Sequence, residues 1–151
     1  MIQLVDGRAL AYAEYGDPLG KVVFFFHGTP GSRLFRPADD ISHKMGVRLI
    51  TVDRPGYGDS TYQPGRTLLD WPKDIGALAD LLHIERFHVA GHSGGGPHAL
   101  ACARGLPDRV VGVTTLSGAG PVDIPGALQG LTAINGLGFR YSRYLPWSLI
   151  R

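Results

Sequence analysis

Residues 89–96, Val89-Ala90-Gly91-His92-Ser93-Gly94-Gly95-Gly96, carry a short apolar segment straight into Gly-x-Ser-x-Gly and then into an Ala-rich stretch. A serine held on a tight bend between a strand and a helix sits in a strained backbone conformation, and side chains two residues to either side would collide there. Gly91 and Gly95 remove those side chains. Such a bend lifts the Ser93 hydroxyl above the carboxyl end of a parallel sheet, where the N-terminal N–H groups and positive dipole end of the following helix converge. The stretch therefore demands a strand before it and a helix after it. Residues 87–90 are short and apolar, as a buried central strand should be. Residues 97–104 are Ala-rich, with Pro97 in the first turn and Gly105 expected as the stop. In a chain with 22 glycines the alternative is a flexible turn, and these flanks are what favour the bend.

The rest of the chain supplies strands in the right order. Residues 2–5 and 8–15, joined by Asp6-Gly7, have the form of a hairpin with a type I′ turn. Residues 22–26, Val-Val-Phe-Phe-Phe, form a continuous apolar run that suits a strand covered on both faces. Residues 16–21 are one residue short of a phosphate loop, and Val22 stands where a magnesium-binding hydroxyl is needed, which excludes nucleotide binding there. A short helix is expected over 37–45 with Gly46 as its stop, then a strand over 47–52. The Gly56-x-Gly58 of the next loop lacks the third glycine of a dinucleotide fingerprint, and Asp53 and Arg54 are expected to fix that loop by hydrogen bonds. Trp71, Ile75, Leu78 and Leu82, with Leu81 beside them, make an apolar helical stripe that reads as core. Residues 110–116 are another strand. Strands alternating with helices imply an α/β fold with right-handed crossovers and a doubly wound, mostly parallel sheet behind the N-terminal hairpin.

His27-Gly28-Thr29-Pro30-Gly31 leaves the 22–26 strand at the same sheet edge as Ser93. A glycine-rich loop there lets backbone approach a substrate closely, and one of its N–H groups can pair with that of the residue after the serine. Pro30 has no N–H, so the expected donors are Thr29 and Gly94. A plain strand-ending turn remains the alternative for this loop. Composition excludes several other classes. The balance of 44% hydrophobic to 19% charged residues is globular, and a net charge of +2 is too small for a nucleic-acid surface. The basic residues are scattered up to a modest cluster at Arg140, Arg143 and Arg151. The single cysteine, Cys102, reads as a small buried side chain in a reducing, cytoplasmic compartment. No secretory signal or membrane-length apolar run is visible, and no His, Cys, Asp and Glu cluster has metal-ligand spacing. No metal, cofactor, nucleic acid or membrane partner is expected.

Taken in order and spacing, residues 22–31, 53–60 and 91–96 resemble the α/β-hydrolase superfamily, in its proline-iminopeptidase and esterase-like branches. The resemblance covers roughly the first four-fifths of the chain. It implies Ser93 as nucleophile, Thr29 and Gly94 as oxyanion donors, and a small ester, thioester or amide as the acyl substrate. A serine nucleophile sets the chain apart from the epoxide-hydrolase and haloalkane-dehalogenase branches, which attack with aspartate. The resemblance also implies a hydrolase core over 1–124, with its last strands missing, and the start of a helical lid over 125–151. The aromatic-rich end, with Phe139, Tyr141, Tyr144 and Trp147, reads either as that lid or as a loose tail.

In this superfamily the acid and the histidine follow the serine along the chain. Here the only later histidine is His98, about 7.5 Å up the helix axis from the bend and moving away from it. His92 is expected to point elsewhere, and His27, His43, His83 and His88 read as structural. Asp123 is a candidate acid. Loss of the histidine costs a serine hydrolase on the order of 10⁶ in turnover. The chain accordingly reads as the N-terminal part of a longer hydrolase, inactive alone, with 110–116 left as an open sheet edge that favours self-association. The alternative is a non-catalytic hydrolase-fold protein that binds a small molecule or a partner.

Overall fold

Strand β4 (Lys21–Phe26) lies third of five in the main sheet, because its apolar side chains find cover on both faces. Alternation sends Phe24 and Phe26 to one face. There they meet Phe87 and Trp71 edge-on, with ring centroids 4.8 and 5.3 Å apart. Phe25 goes to the other face, toward Phe35. The computed structural model describes residues 1–121, 124–133 and 136–137, and the chain divides into two units, Met1–Gly118 and Ala119–Arg151.

The first unit holds the sheet, in the order β3-β5-β4-β6-β7. Strands β5 (Val47–Val52), β6 (Phe87–His92) and β7 (Val110–Leu116) run parallel with β4, while β3 (Tyr12–Gly16) pairs antiparallel with β5. Helix α1 (Asp39–Lys44) connects β4 to β5, α2 (Trp71–Leu81) connects β5 to β6, and α3 (Gly96–Gly105) connects β6 to β7. The β4-to-β5 step moves one way across the sheet and the later steps move the other way. Right-handed crossovers therefore put α1 on one face and α2 with α3 on the opposite one. The reversal leaves a crevice between the carboxyl ends of β4 and β6, which is where ligands bind in open sheets of this kind. The core beneath it includes Phe24, Phe26, Ile50, Val52, Trp71, Ile75, Leu78, Phe87, Val89, Ala99 and Cys102. In the second unit, short turns close at Ile124 to Ala127 and at Gly126 to Gln129.

The fold is the doubly wound, mostly parallel sheet with an N-terminal hairpin that the sequence implies. Several local expectations need correction. The hairpin is short, pairing only β1 (Ile2–Gln3) with β2 (Ala9–Leu10). Its turn is not type I′: Gly7 takes a φ of 85° and donates to the Leu4 carbonyl at 3.0 Å, while Asp6 keeps negative φ. The second arm leaves the hairpin at Ala11, whose N–H goes to the Ser60 hydroxyl, and the chain continues as β3 in the main sheet. The hairpin turn is tied to α2 instead, through a bidentate pair between Arg8 and Asp74 at 2.6 and 2.9 Å. Helix α3 ends at Gly105 as expected, but without a left-handed glycine cap, since Leu106 is the capping residue. A methyl group on Gly105 would come within 2.6 Å of the Pro72 ring, so its smallness serves the close packing of α3 on α2. Leu81 lies outside the buried stripe and is exposed.

Strand β7 is an edge strand, and among the described residues nothing pairs with its outer side. Val111, Val113 and Leu116 on it are exposed. No helix among the described residues is long and apolar enough to cross a membrane.

Candidate functional site

Strand β6 ends at His92 in extended conformation, and the next residue, Ser93, takes a φ of 50°. This is the left-handed region, disfavoured for a residue with a side chain. Ser93–Gly95 then form one tight 3-10 turn that leads into α3. The two flanking glycines are required by close approach. A methyl at Gly91 would stand 2.7 Å from the Gly96 nitrogen, and one at Gly95 would stand 2.7 Å from the Phe26 carbonyl carbon and 2.8 Å from the His27 carbonyl oxygen. The bend is thus pressed directly onto the end of β4. Among the described residues no group hydrogen-bonds the Ser93 hydroxyl.

The loop after β4 closes over the bend. Gly28 has no Cβ, and one placed there would lie 3.3 Å from the Ser93 Cβ and 3.0 Å from His92 Nδ1. Likewise a Cβ on Gly94 would meet the Thr29 hydroxyl at 2.6 Å and the Thr29 nitrogen at 3.5 Å. Thr29 and Gly94 are therefore immediate neighbours across the crevice. Neither of their N–H groups is bonded to another backbone group among the described residues. With Pro30, Phe35 and His92, these loops line a cavity of about 90 Å³ with Ser93 in its wall. His92 thus requires a correction. Its ring does not turn away from the site but lines the same cavity, 5.1 Å from the Phe35 ring, with Nδ1 buried and unpaired.

Two other histidines hold the walls from behind. His27 Nδ1 donates to the Gly28 carbonyl at 2.7 Å, while its Nε2 accepts the Arg54 N–H at 3.3 Å. His98 Nδ1 donates to the Gly94 carbonyl at 2.9 Å, while its Nε2 faces Arg66 at 3.4 Å. Both patterns require a neutral ring with the proton on Nδ1. Burial, reinforced by the Arg54 charge, pushes His27 down to about 4 and His98 to about 3. His98 is accordingly a brace and not a base, and it faces the carbonyl side of the bend.

Asp53 and Arg54 have separate partners. Asp53 is fully buried and holds its own loop, pairing with Arg33 and accepting the Asp59 N–H at 3.1 Å. Arg54 keeps Tyr57 of its own loop as a neighbour, its guanidinium carbon 4.6 Å from that ring, and also reaches beyond the loop. Its guanidinium donates to the Gly28 carbonyl at 2.9 Å, the Thr29 hydroxyl at 2.7 Å and the Gly94 carbonyl at 3.3 Å. The sequence pattern did not show this role for Arg54, nor the bracing by His27 and His98. The one available signal is an arginine two residues past the end of an apolar strand, at the carboxyl edge of the sheet. Asp123 and the arginine cluster at 140, 143 and 151 lie outside the described residues.

The site thus joins a bend with a left-handed serine, two N–H groups beside it without a backbone partner, and a crevice at the topological switch point. Residues 21–138 match the family described as alpha/beta hydrolase fold. The chain belongs to the α/β-hydrolase family. It is 36% identical over 126 residues to a non-heme chloroperoxidase of Streptomyces lividans, covering 78% of this chain and 44% of that protein. It is 34% identical over 109 residues to a probable proline iminopeptidase of Leptolyngbya boryana, covering 70% of this chain and 34% of the relative. The fold is similar to that of a hydrolase from Pseudomonas aeruginosa, with a TM-score of 0.70 at 22% identity, over 98% of this chain and 59% of that one. The chain thus spans less than half the length of these two sequence relatives. Among the described residues no group of three or more His, Cys, Asp and Glu side chains is placed to hold a metal ion.

Proposed function

We propose that Ser93 is the nucleophile of a serine hydrolase acting on a small ester, thioester or amide, and that the Thr29 and Gly94 N–H groups bind the oxyanion. In this chemistry the Ser93 oxygen forms a bond to the acyl carbon and loses its proton. The carbonyl oxygen takes up negative charge between the two N–H groups, and the leaving alcohol, thiol or amine departs with a proton. Water then releases the acyl group. The observation that carries the reading is the left-handed Ser93 beside two N–H groups that have no backbone acceptor. Donors without a backbone acceptor beside an unbonded hydroxyl call for a ligand acceptor.

The proton-accepting step is the weak one in this chain. None of the six histidines is hydrogen-bonded to Ser93 among the described residues, and His27 and His98 are committed to backbone carbonyls. Turnover by the 151-residue chain is accordingly expected to be low. A fluorophosphonate, which carries a better leaving group than an ester and needs less activation of the hydroxyl, is still expected to label it. That shortfall favours a second reading, a hydrolase-fold binder that takes up a small acyl compound without consuming it. Fluorophosphonate labelling followed by peptide mass mapping separates the two. The first reading expects label on Ser93, lost in Ser93→Ala. A folded chain that stays unmodified at concentrations that label an ordinary esterase would leave only the second.

A further inference from the structure

We propose that Arg54 is a positioning residue that locks the two halves of the oxyanion hole into one register. The inference rests on the reading of Thr29 and Gly94 as oxyanion donors. Each half has a brace of its own: His27 bonds the Gly28 carbonyl and His98 bonds the Gly94 carbonyl. Arg54 alone among these groups bonds both halves, through Gly28 and Thr29 on one side and Gly94 on the other. A planar guanidinium with its donors in a fixed fork sets the distance between its acceptors.

The bond to Gly28 acts directly on a donor. The Gly28–Thr29 peptide is trans, so its N–H points opposite to its C=O. A carbonyl held down by Arg54 and His27 therefore turns the Thr29 N–H up toward the cavity. A cation on the carbonyl also polarises the peptide and strengthens its N–H as a donor. At Gly94 the bonded carbonyl belongs to the next peptide, so there Arg54 fixes the orientation of the residue without polarising its N–H.

The setting of Arg54 is hard to explain as a contribution to stability. The side chain is buried, its Nε has no partner, and no carboxylate lies within ion-pair distance among the described residues. Tyr57 lies beside it, with its ring 4.6 Å from the guanidinium carbon and its hydroxyl as a neutral hydrogen-bond partner, not a counter-ion. Burying a guanidinium without a counter-ion is costly. The same uncompensated charge lies directly behind the point where negative charge develops during acyl transfer, where it lowers the barrier.

The test uses the full chain with Arg54→Met, Arg54→Lys and a distant control, Arg109→Gln, whose side chain bonds Asp80 and Ile84. Residual dipolar couplings report the angle between the Thr29 and Gly94 N–H vectors whether or not the serine reacts. The expected result is a fixed angle in wild type and control, an averaged or altered angle in Arg54→Met, and partial recovery in Arg54→Lys, since one ammonium cannot hold all three acceptors. An unchanged angle in Arg54→Met overturns the proposal. If that variant does not fold, an unchanged angle in Arg54→Lys overturns it equally. Fluorophosphonate labelling gives the second readout, with a fall in the maximal labelling rate of about tenfold or more in Arg54→Met and little change in probe affinity. Equal rates in wild type and variant overturn the role. A wild-type chain that does not label removes the hydrolase reading, and the coupling data then decide the positioning of the two amides alone.

Discussion

Gly95→Ala measures how tightly the serine bend is seated on β4. A methyl built on Gly95 would overlap the Phe26 carbonyl oxygen and stand 2.7 Å from the carbonyl carbon; with ordinary contact beginning near 3.4 Å, clearing the carbon alone makes the bend retreat by at least about 0.7 Å. The atoms it meets are main chain at the end of the third of five strands, which cannot swing aside as a side chain would. Overpacking of this kind costs roughly 1–3 kcal/mol, and a backbone obstacle puts the expected loss near the upper end. Moving the nucleophile by most of an ångström relative to its oxyanion donors costs on the order of 10² in reactivity. Urea unfolding followed by circular dichroism gives the first quantity, and the rate of fluorophosphonate labelling gives the second. Gly120→Ala is the control, since nothing lies within 4 Å of a Cβ there and its φ is ordinary, so it should change neither. A Gly95→Ala chain that unfolds at the wild-type midpoint and labels at the wild-type rate would mean that the bend is not seated tightly on β4.

Two further outcomes follow from the structure. His27 and His98 are held neutral, with values near 4 and 3 against 6.5 for a free imidazole, so the unfolded chain binds protons that the folded chain refuses. Stability is then fully present above about pH 6.5 and falls as pH drops through the window below it, by roughly 2 kcal/mol per histidine at pH 4.5. A urea midpoint that stays flat from pH 7.5 to 4.5 would count against both assignments. The outer side of β7, unpaired among the described residues and with Val111 and Val113 exposed, is expected to support concentration-dependent association in sedimentation velocity. Val113→Lys should weaken that association, and a chain that is monomeric at all concentrations contradicts it.

Where hydrophobic patterning determines an element, the sequence shows it plainly. Strands β5 and β7 occupy the expected residues because continuous β-branched and aliphatic runs bounded by turn residues have few other uses. The serine bend was legible for a related reason: a left-handed serine pressed against backbone needs glycines at fixed offsets, and Gly91 and Gly95 stand at those offsets. Features decided by distant partners were not visible. The hairpin arm breaks at Ala11 because the Ser60 hydroxyl, 49 residues on, takes its N–H. Gly105 reads as a helix stop, and only the approach of Pro72 shows that its smallness also serves packing. The sequence ties Arg54 to its own loop, because no local pattern encodes bonds to carbonyls 26 and 40 residues away. It turns His92 away from the site, because strand alternation predicts a face and the strand ends at the bend before alternation can settle it.

In the proposed chemistry Ser93, Thr29 and Gly94 converge on one acyl carbon and its oxygen. A crystal structure of the chain after reaction with a fluorophosphonate shows whether they do. Phosphorus is expected to be bonded to the Ser93 oxygen, with the phosphoryl oxygen about 3 Å from both the Thr29 and the Gly94 nitrogens. An adduct on another residue, or a phosphoryl oxygen turned away from those two amides, would contradict it.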